Sequence, residues 1–215
     1  MSIHLNVQAE VIDISTDAPR KEDIFLVDTN VWLWQTYANS IPSDPRVRGK
    51  TKLYTSYLKK ARTRGATLAY SGLILAELAH VIEKTECAIF RQKSQRPIKA
   101  KEYRHSFSFE RANVVAEVES AWKQVEALAI SLELTINEAN TNAALNRFKT
   151  QALDGYDLLL LETMAQANVG QVKVITDDMD YVVVPDIQVF TANGYALQQA
   201  TQQKKLLQRY IQTSP

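Results

Sequence analysis

The stretch IFLVDTNVWLW, residues 24–34, places the apolar run IFLV directly before Asp28. Four apolar β-forming residues predict a short buried strand, and the acid after them marks the point where that strand ends. Residues 66–70, 133–136, 172–176 and 187–190 have the same β-rich character and alternate with longer segments of helical period. This alternation predicts an α/β fold, a mostly parallel central sheet flanked by helices.

Helical period is clearest at residues 51–64, 73–85, 109–131 and 137–150. Residues 154–168 contain the nearly all-apolar run LLLLETMA, so we expect that helix to be largely buried. Residues 3–11 alternate apolar and polar side chains and predict either an edge strand or an arm. The Gln-rich residues 196–212 carry spaced apolar side chains and predict a terminal helix, with surface packing favoured over partner binding.

The chain length of 215 residues suits one α/β domain with additions at its ends. We assign residues 1–21 to an N-terminal arm, 22–193 to the core domain with an insertion at about 87–108, and 194–215 to a helical tail. Cys87 is the only cysteine, so no intramolecular disulfide can form, and we expect a packed thiol. The sequence has neither a signal-peptide pattern nor a membrane-length apolar run, which predicts a cytoplasmic protein with no membrane association.

Acids follow two of the predicted strands directly. Asp28 ends the first, and Asp177, Asp178 and Asp180 follow residues 172–176. A single Asp in such a place is more often a turn former or a helix N-cap. Because ligand sites of open α/β sheets form outside the carboxyl ends of the strands, the recurrence favours a shared site.

Glu77 and Asp157 are two further acids, and each lies in a mainly apolar helical sequence. Buried carboxylates are rarely left unpaired, and the surrounding sequence offers almost no cation for a structural ion pair. A divalent cation bound among these acids resolves their mutual repulsion. Oxygen ligands without His or Cys favour Mg²⁺ or Mn²⁺ over Zn²⁺, and these ions commonly serve phosphate chemistry.

Other enzyme classes lack their signatures in this sequence. It contains no Walker-type loop and no dinucleotide-binding glycine pattern, and its three histidines do not have zinc-site spacing. Metal-dependent phosphate chemistry is therefore the favoured class.

The motifs VDTN, SGLILAEL, DGYDLLLLETMA and VITDDMDY, in this order, resemble the PIN domain, the metal-dependent ribonuclease fold of VapC-type toxins, over roughly residues 24–193. The resemblance implies a Rossmann-like sheet with one acidic site that binds Mg²⁺ or Mn²⁺. The residues matched to catalytic and metal-binding positions are Asp28, Glu77, Asp157 and Asp178, with Asp180 as a further ligand and Asn30, Ser71 and Thr176 as supporting polar residues.

Two choices within this acidic set stay open at the sequence level. Asp177 adjoins Asp178, and the preference for Asp178 rests on the family spacing alone. Asp154, three residues before Asp157, fits an N-cap as well as a site acid.

Basic residues are segregated into two stretches. Residues 46–64 hold eight Lys and Arg residues and no acid, and residues 90–107 interleave cations with aromatic residues. Basic surface binds phosphates and aromatic rings stack on unpaired bases, although either stretch alone is equally an ordinary solvated surface. The expected nucleic-acid-binding residues are Arg91, Lys93, Arg96, Lys99, Lys101 and Arg104.

The hypothesis from the sequence is a metal-dependent endoribonuclease acting on RNA, preferentially single-stranded. The family resemblance alone selects RNA over DNA, and it adds a toxin–antitoxin role, an antitoxin or other protein partner, and a homodimer. One alternative is a non-catalytic PIN-like module that binds RNA or protein. The other is a haloacid-dehalogenase-type phosphatase, which needs a second acid where Asn30 stands.

Overall fold

A computed structural model describes residues 4–40, 44–167 and 170–209, and all structural statements concern these residues. They form six strands in one sheet: β1 (Glu10–Asp13), β2 (Ile24–Val27), β3 (Thr67–Ser71), β4 (Ile130–Leu132), β5 (Lys173–Ile175) and β6 (Gln188–Thr191). The helices are α1 (Thr29–Thr36), α2 (Pro45–Thr63), α3 (Leu73–Ser94), α4 (Ala100–Ser106), α5 (Ser108–Leu128), α6 (Glu138–Thr150), α7 (Gly155–Gln166) and α8 (Gly194–Gln202).

The strands lie in the order β1-β6-β5-β2-β3-β4, and every neighbouring pair is parallel. The predicted α/β class is therefore confirmed. From β2 the chain moves outward to β3 and β4, and it then returns to β5 on the other side of β2. The order thus reverses between β2 and β5, and such a switch point leaves a crevice at the carboxyl ends of the two strands.

The core lies on both faces of the sheet, as expected for parallel strands covered by helices. Phe25, Leu26 and Val27 of β2 have no exposed surface. Helix α7 buries Leu158, Leu160 and Leu161 along most of its circumference, so the predicted burial of this helix is confirmed.

Strand β1 lies at the edge of the sheet, next to β6. Of the alternating segment at residues 3–11, only Glu10 and Val11 belong to this edge strand, and residues 4–9 form no strand. The predicted helix over residues 196–212 is wrong for residues 203–209, because α8 ends at Gln202 and Lys204 has a positive φ of 58°. The following backbone instead bonds to the open edge of β1, where Val11 N–H donates to Lys205 and Leu207 N–H donates to Val11.

The predicted strand at residues 133–136 is wrong, because β4 is formed by Ile130–Leu132. Strand β3 ends at Ser71, which is paired with Leu132, so the chain beyond Leu132 has no neighbouring strand to bond. The apolar alternation continues as far as Ile136, but that side chain is 60% exposed.

The helices differ from the prediction mainly in length. Helix α3 continues nine residues past the predicted end at residue 85, into the basic insertion, and α4 follows after a connection over residues 95–99. Helix α1 was not predicted, since its sequence is apolar on nearly every side and shows no helical period. Cys87 is a buried free thiol packed with Ile98, Tyr103 and Val114, as predicted.

No helix within the described ranges is both long and apolar enough to cross a membrane. Three predicted elements extend beyond the described residues. The parts outside are residue 3 of the N-terminal segment, residue 168 of the apolar helix, and residues 210–212 of the terminal helix.

Candidate metal centre and active site

Asp28 lies at the switch point, directly after β2, and its side chain is 6% exposed. Its Oδ1 accepts a 2.7 Å bond from Thr29 N–H, which caps helix α1. Its Oδ2 accepts bonds of 2.6 Å from both the Asn30 amide and the Thr176 hydroxyl. These bonds hold the carboxylate in one orientation at the mouth of the crevice.

Glu77 lies on α3, about one turn from the end of β3, and it approaches Asp28 through a shared partner. The Thr29 hydroxyl donates to Glu77 Oε2, while the Thr29 N–H donates to Asp28. A single residue of α1 thus joins the acids that follow two adjacent strands. Within the described residues, Glu77 Oε1 receives no hydrogen bond.

Asp157 lies in the first turn of α7 and is buried, with 7% exposure. Its Oδ1 accepts a 2.7 Å bond from the hydroxyl of Tyr181, whose ring is fully buried. No other bond to the Asp157 carboxylate is found among the described residues, so Oδ2 remains available to a ligand.

Asp178 and Asp177 follow β5 and have different surroundings. The Lys50 ammonium lies 2.5 Å from Asp177 Oδ2, and the Tyr54 hydroxyl donates to Asp177 Oδ1 at 3.0 Å. Asp178 makes no salt bridge with a described residue. Its N–H donates to Thr176 Oγ1, and its Oδ1 accepts from Asp180 N–H. The structure therefore favours Asp178 over Asp177 as the site acid.

We call Asp28, Glu77, Asp157 and Asp178 the acid cluster. Burial raises the pKa of Asp28 to about 7, with the nearby charges of Glu77 and Asp178 adding to the shift. Burial, followed by the charge of Asp28, raises the pKa of Asp157 to about 8. Burial also raises the pKa of Glu77. These carboxylates are thus close enough to disfavour one another's ionised form.

The donor set of the acid cluster suits a hard divalent cation, because its four members are all carboxylates. Among the described residues, no three His, Cys, Asp or Glu side chains stand close enough to form a ready-made metal-binding group. Asp28, Glu77, Asp157 and Asp178 are the residues that would hold Mg²⁺ or Mn²⁺, and their ligand chemistry fits that role.

Of the remaining predicted residues, Asn30 and Thr176 contact Asp28 directly. Ser71 is fully buried, but its Oγ accepts from Leu73 N–H at the start of α3. Asp180 is half-buried beside Asp178, and burial raises its pKa. Asp154 is the N-cap of α7 and accepts bonds from the N–H groups of Tyr156 and Asp157, so it has a structural role.

The predicted nucleic-acid-binding residues lie on the far part of α3, on α4 and in the connection between them, which holds Arg96 and Lys99. Arg91 is fourteen residues beyond Glu77 on α3, about 21 Å along the helix axis. Its Nε donates to the Ile98 carbonyl, and Arg104 forms a salt bridge with Glu83. The exposed residues of this set that form no salt bridge with a described residue are Arg91, Lys93, Arg96, Lys99 and Lys101.

Three residues of the site were missed by sequence reasoning. Thr29 stands between the two predicted polar residues of VDTN, so its place in the motif was a usable signal. Lys50 belongs to the basic stretch, but its contact with Asp177 spans 127 positions. Tyr181 follows Asp180 in an apolar sequence, and no local pattern distinguishes it from a core residue.

Comparison with known proteins gives no family assignment. The chain matches no family profile, and no curated protein sequence is significantly similar to it.

Proposed function

We propose that the protein is a metal-dependent endoribonuclease that hydrolyses phosphodiester bonds in RNA at the acid cluster, with Mg²⁺ or Mn²⁺. The observation that carries the proposal is that four acids lie around the sheet's switch point, close enough to raise one another's pKa although not preassembled as a metal-binding group. No Lys or Arg among the described residues is salt-bridged to them. The likeness of the four sequence motifs to PIN domains favours RNA as the polymer.

A bound divalent cation supplies charge neutralisation at the phosphate and lowers the pKa of water. The protein's own residues fix the positions and orientations of the carboxylates. Thr176 and Asn30 orient Asp28, Tyr181 orients Asp157, and the turn after β5 presents Asp178. In the reaction, a water oxygen bonds to phosphorus as the bond to the leaving ribose oxygen breaks. A carboxylate of the cluster takes the proton of the water, and solvent protonates the leaving oxygen.

The test is a cleavage assay on mixed-sequence RNA and single-stranded DNA with Mn²⁺, Mg²⁺ or EDTA. We expect cleavage of RNA that requires the metal, and a loss of about a thousandfold or more in Asp28→Asn, because metal-centred charge stabilisation contributes several kcal/mol. Asn keeps the size of the side chain, so the variant should fold.

Asp177→Asn is the matched control, since Asp177 is salt-bridged to Lys50 rather than part of the acid cluster. It should keep far more activity than Asp28→Asn. Undiminished cleavage by purified Asp28→Asn would refute the assignment. A phosphomonoester assay separates the phosphatase alternative: phosphate release with an aspartyl-phosphate on the protein would support that enzyme instead.

A further inference from the structure

One exposed face of α2 carries a row of cations that the acid cluster does not use. Spacings alternate between four and three residues along this row, so its members lie along one side of the helix. The row, which we call the α2 stripe, consists of Arg48, Lys52, Thr55, Lys59 and Arg62. Its four cations are exposed, and α2 contains no acid. A strongly positive strip of surface results.

A groove runs beside the α2 stripe, between α2 and the neighbouring parts of α1, β3 and α5. Its polar lining includes Gln35, Thr55, Ser56, Lys59 and Arg62. A second depression shares Arg62 and continues past Thr67 toward the sheet edge at β4. No acidic side chain belongs to either lining among the described residues, so the groove suits an anionic polymer.

The amino end of α2 lies near the acid cluster, because Lys50 contacts Asp177, the neighbour of Asp178. Lys50 is two residues from Arg48, about 200° around the helix, so the α2 stripe lies on the side of α2 that faces away from the cluster. From Arg48 the stripe extends fourteen residues to Arg62, about 21 Å at the rise of an α-helix. A polymer with one phosphodiester at the cluster reaches the stripe by crossing the amino end of α2.

The basic insertion differs in its distance from the acid cluster, since the part around Arg91 lies at the far end of α3. Part of its charge is also neutralised, because Arg104 is salt-bridged to Glu83. Lys52, Lys59 and Arg62 form no salt bridge with any described carboxylate. Their charge is thus available to an external anion.

The geometry points to the α2 stripe as the binding track for the backbone of single-stranded RNA that crosses the acid cluster. The identity of the polymer rests on the proposed function. Unpaired cations gain affinity for phosphates by releasing condensed counterions, and Gln35, Thr55 and Ser56 add neutral hydrogen-bonding groups. An acidic protein segment is the competing occupant.

The test is fluorescence anisotropy with a labelled RNA of about 16 nucleotides, in EDTA to prevent cleavage, between about 50 and 200 mM salt. The stripe variant is Lys52→Gln/Lys59→Gln/Arg62→Gln. The matched control, Lys84→Gln/Lys123→Gln/Lys149→Gln, removes three exposed cations from other surfaces. An insertion variant, Lys93→Gln/Arg96→Gln/Lys99→Gln, completes the set. Circular dichroism and melting temperature check that each variant folds.

We expect the stripe variant to bind RNA about tenfold or more weakly at low salt and to reduce the log–log salt slope by about 2, since each lost contact removes about 0.7. The control should retain the wild-type slope. An unchanged slope in the stripe variant, or an equal or larger loss in the insertion variant, overturns the inference. Displacement of RNA by polyglutamate at equal charge also overturns it, in favour of an acidic protein partner.

Cleavage by the wild type, assayed separately with Mn²⁺, distinguishes the two proposals. Metal-dependent cleavage together with normal RNA binding by the stripe variant refutes the track and leaves the nuclease intact. Weakened binding by the stripe variant without any wild-type cleavage supports the track and refutes the nuclease.

Discussion

Strand β2 has a buried aspartate at each end, and the two have opposite electrostatic settings. Asp23 precedes the strand and Asp28 follows it, with exposures of 1% and 6%. Burial acts to raise the pKa of Asp23, but hydrogen bonds from Lys173, the Arg20 N–H and Arg209 outweigh it and lower that pKa. Burial raises the pKa of Asp28, and neighbouring acids add to the shift. Burial alone thus does not distinguish a structural acid from a site acid, whereas the charge of the partners does.

Asp23 belongs to a paired network that we call the clasp: Asp17, Asp23, Tyr57, Lys173 and Arg209. Arg209 donates to both oxygens of Asp17 at 2.8 and 2.6 Å and to both of Asp23 at 3.0 and 2.9 Å. Its guanidinium also lies 4.5 Å from the centre of the Phe190 ring. The clasp ties the C-terminal segment to the loop before β2.

The largest expected change in stability comes from breaking the clasp. Arg209→Met leaves buried Asp17 without its salt-bridge partner and buried Asp23 salt-bridged to Lys173 alone among the described residues, which should cost about 3–5 kcal/mol. For a chain of this size that corresponds to a melting temperature about 10 °C lower. Urea and thermal unfolding measure the change.

Arg64→Gln is the matched control, because Arg64 is exposed, and it should change stability by less than about 0.5 kcal/mol. Adding Asp17→Asn and Asp23→Asn to Arg209→Met should recover part of the loss by removing the unpaired charges. A loss below about 1 kcal/mol in Arg209→Met would place the clasp among ordinary surface ion pairs.

The acid cluster should respond in the opposite direction when one charge is removed. Asp157 has a pKa of about 8 in the folded protein, above its usual value near 4. Folding therefore loses stability as the pH rises between these values, because the folded state holds a proton that the unfolded state releases. Asp157→Asn removes this penalty, so we expect a higher melting temperature in EDTA, by several degrees at neutral pH.

The advantage of Asp157→Asn should be small at pH 5 and largest above pH 8, where thermal melts in EDTA can be compared with the wild type. Mn²⁺ should stabilise the wild type by binding its folded state and should stabilise the variant much less. Glu126→Gln is the control, since Glu126 is an exposed acid on α5 that does not shift the pKa of Asp28, Glu77 or Asp157. A large drop in EDTA with an intact response to Mn²⁺ would remove Asp157 from the site.

The clasp should show the reverse dependence on pH. The pKa of Asp23 is lowered, so its contribution to stability is present above the usual Asp value near 4 and is lost as the pH falls through its folded pKa. The acid cluster acts at higher pH: the folded protein becomes more stable as the pH falls from about 8 toward 4, because Asp28 and Asp157 take up protons. Its pH dependence should disappear in Asp157→Asn and Asp28→Asn together, leaving the acid limb of the clasp.

The smallest expected effect tests Asp154 as a cap. Asp154→Ala removes the bonds to the N–H groups of Tyr156 and Asp157, which should cost about 1 kcal/mol. Asp154→Ser should recover most of that stability, because serine also caps helices. Both variants should keep metal-dependent cleavage, and a large loss of activity in the stable Ser variant would instead make Asp154 a site acid.

The sequence by itself determined most of the local elements and the acids of the candidate site. Strand β2 begins and ends as predicted, and the acids after β2 and β5 were identified from their positions at strand ends. These features depend on neighbouring residues, because strand and helix periods and strand-ending acids are visible within a short window.

Only the tertiary structure decided which charged groups meet. Among the described residues, Asp177 forms a salt bridge and Asp178 forms none, because Lys50 contacts Asp177 across a separation of 127 residues. Arg209 forms salt bridges with Asp17 and Asp23 at separations of 192 and 186 residues. The segment after α8 bonds to the edge of β1 instead of extending the helix. Such contacts depend on strand order and on which backbone edges remain unbonded after the sheet has formed. No local pattern specifies the strand order or the unbonded edges. For this reason one aspartate belongs to the clasp at the start of β2, while another is a candidate metal ligand at its end.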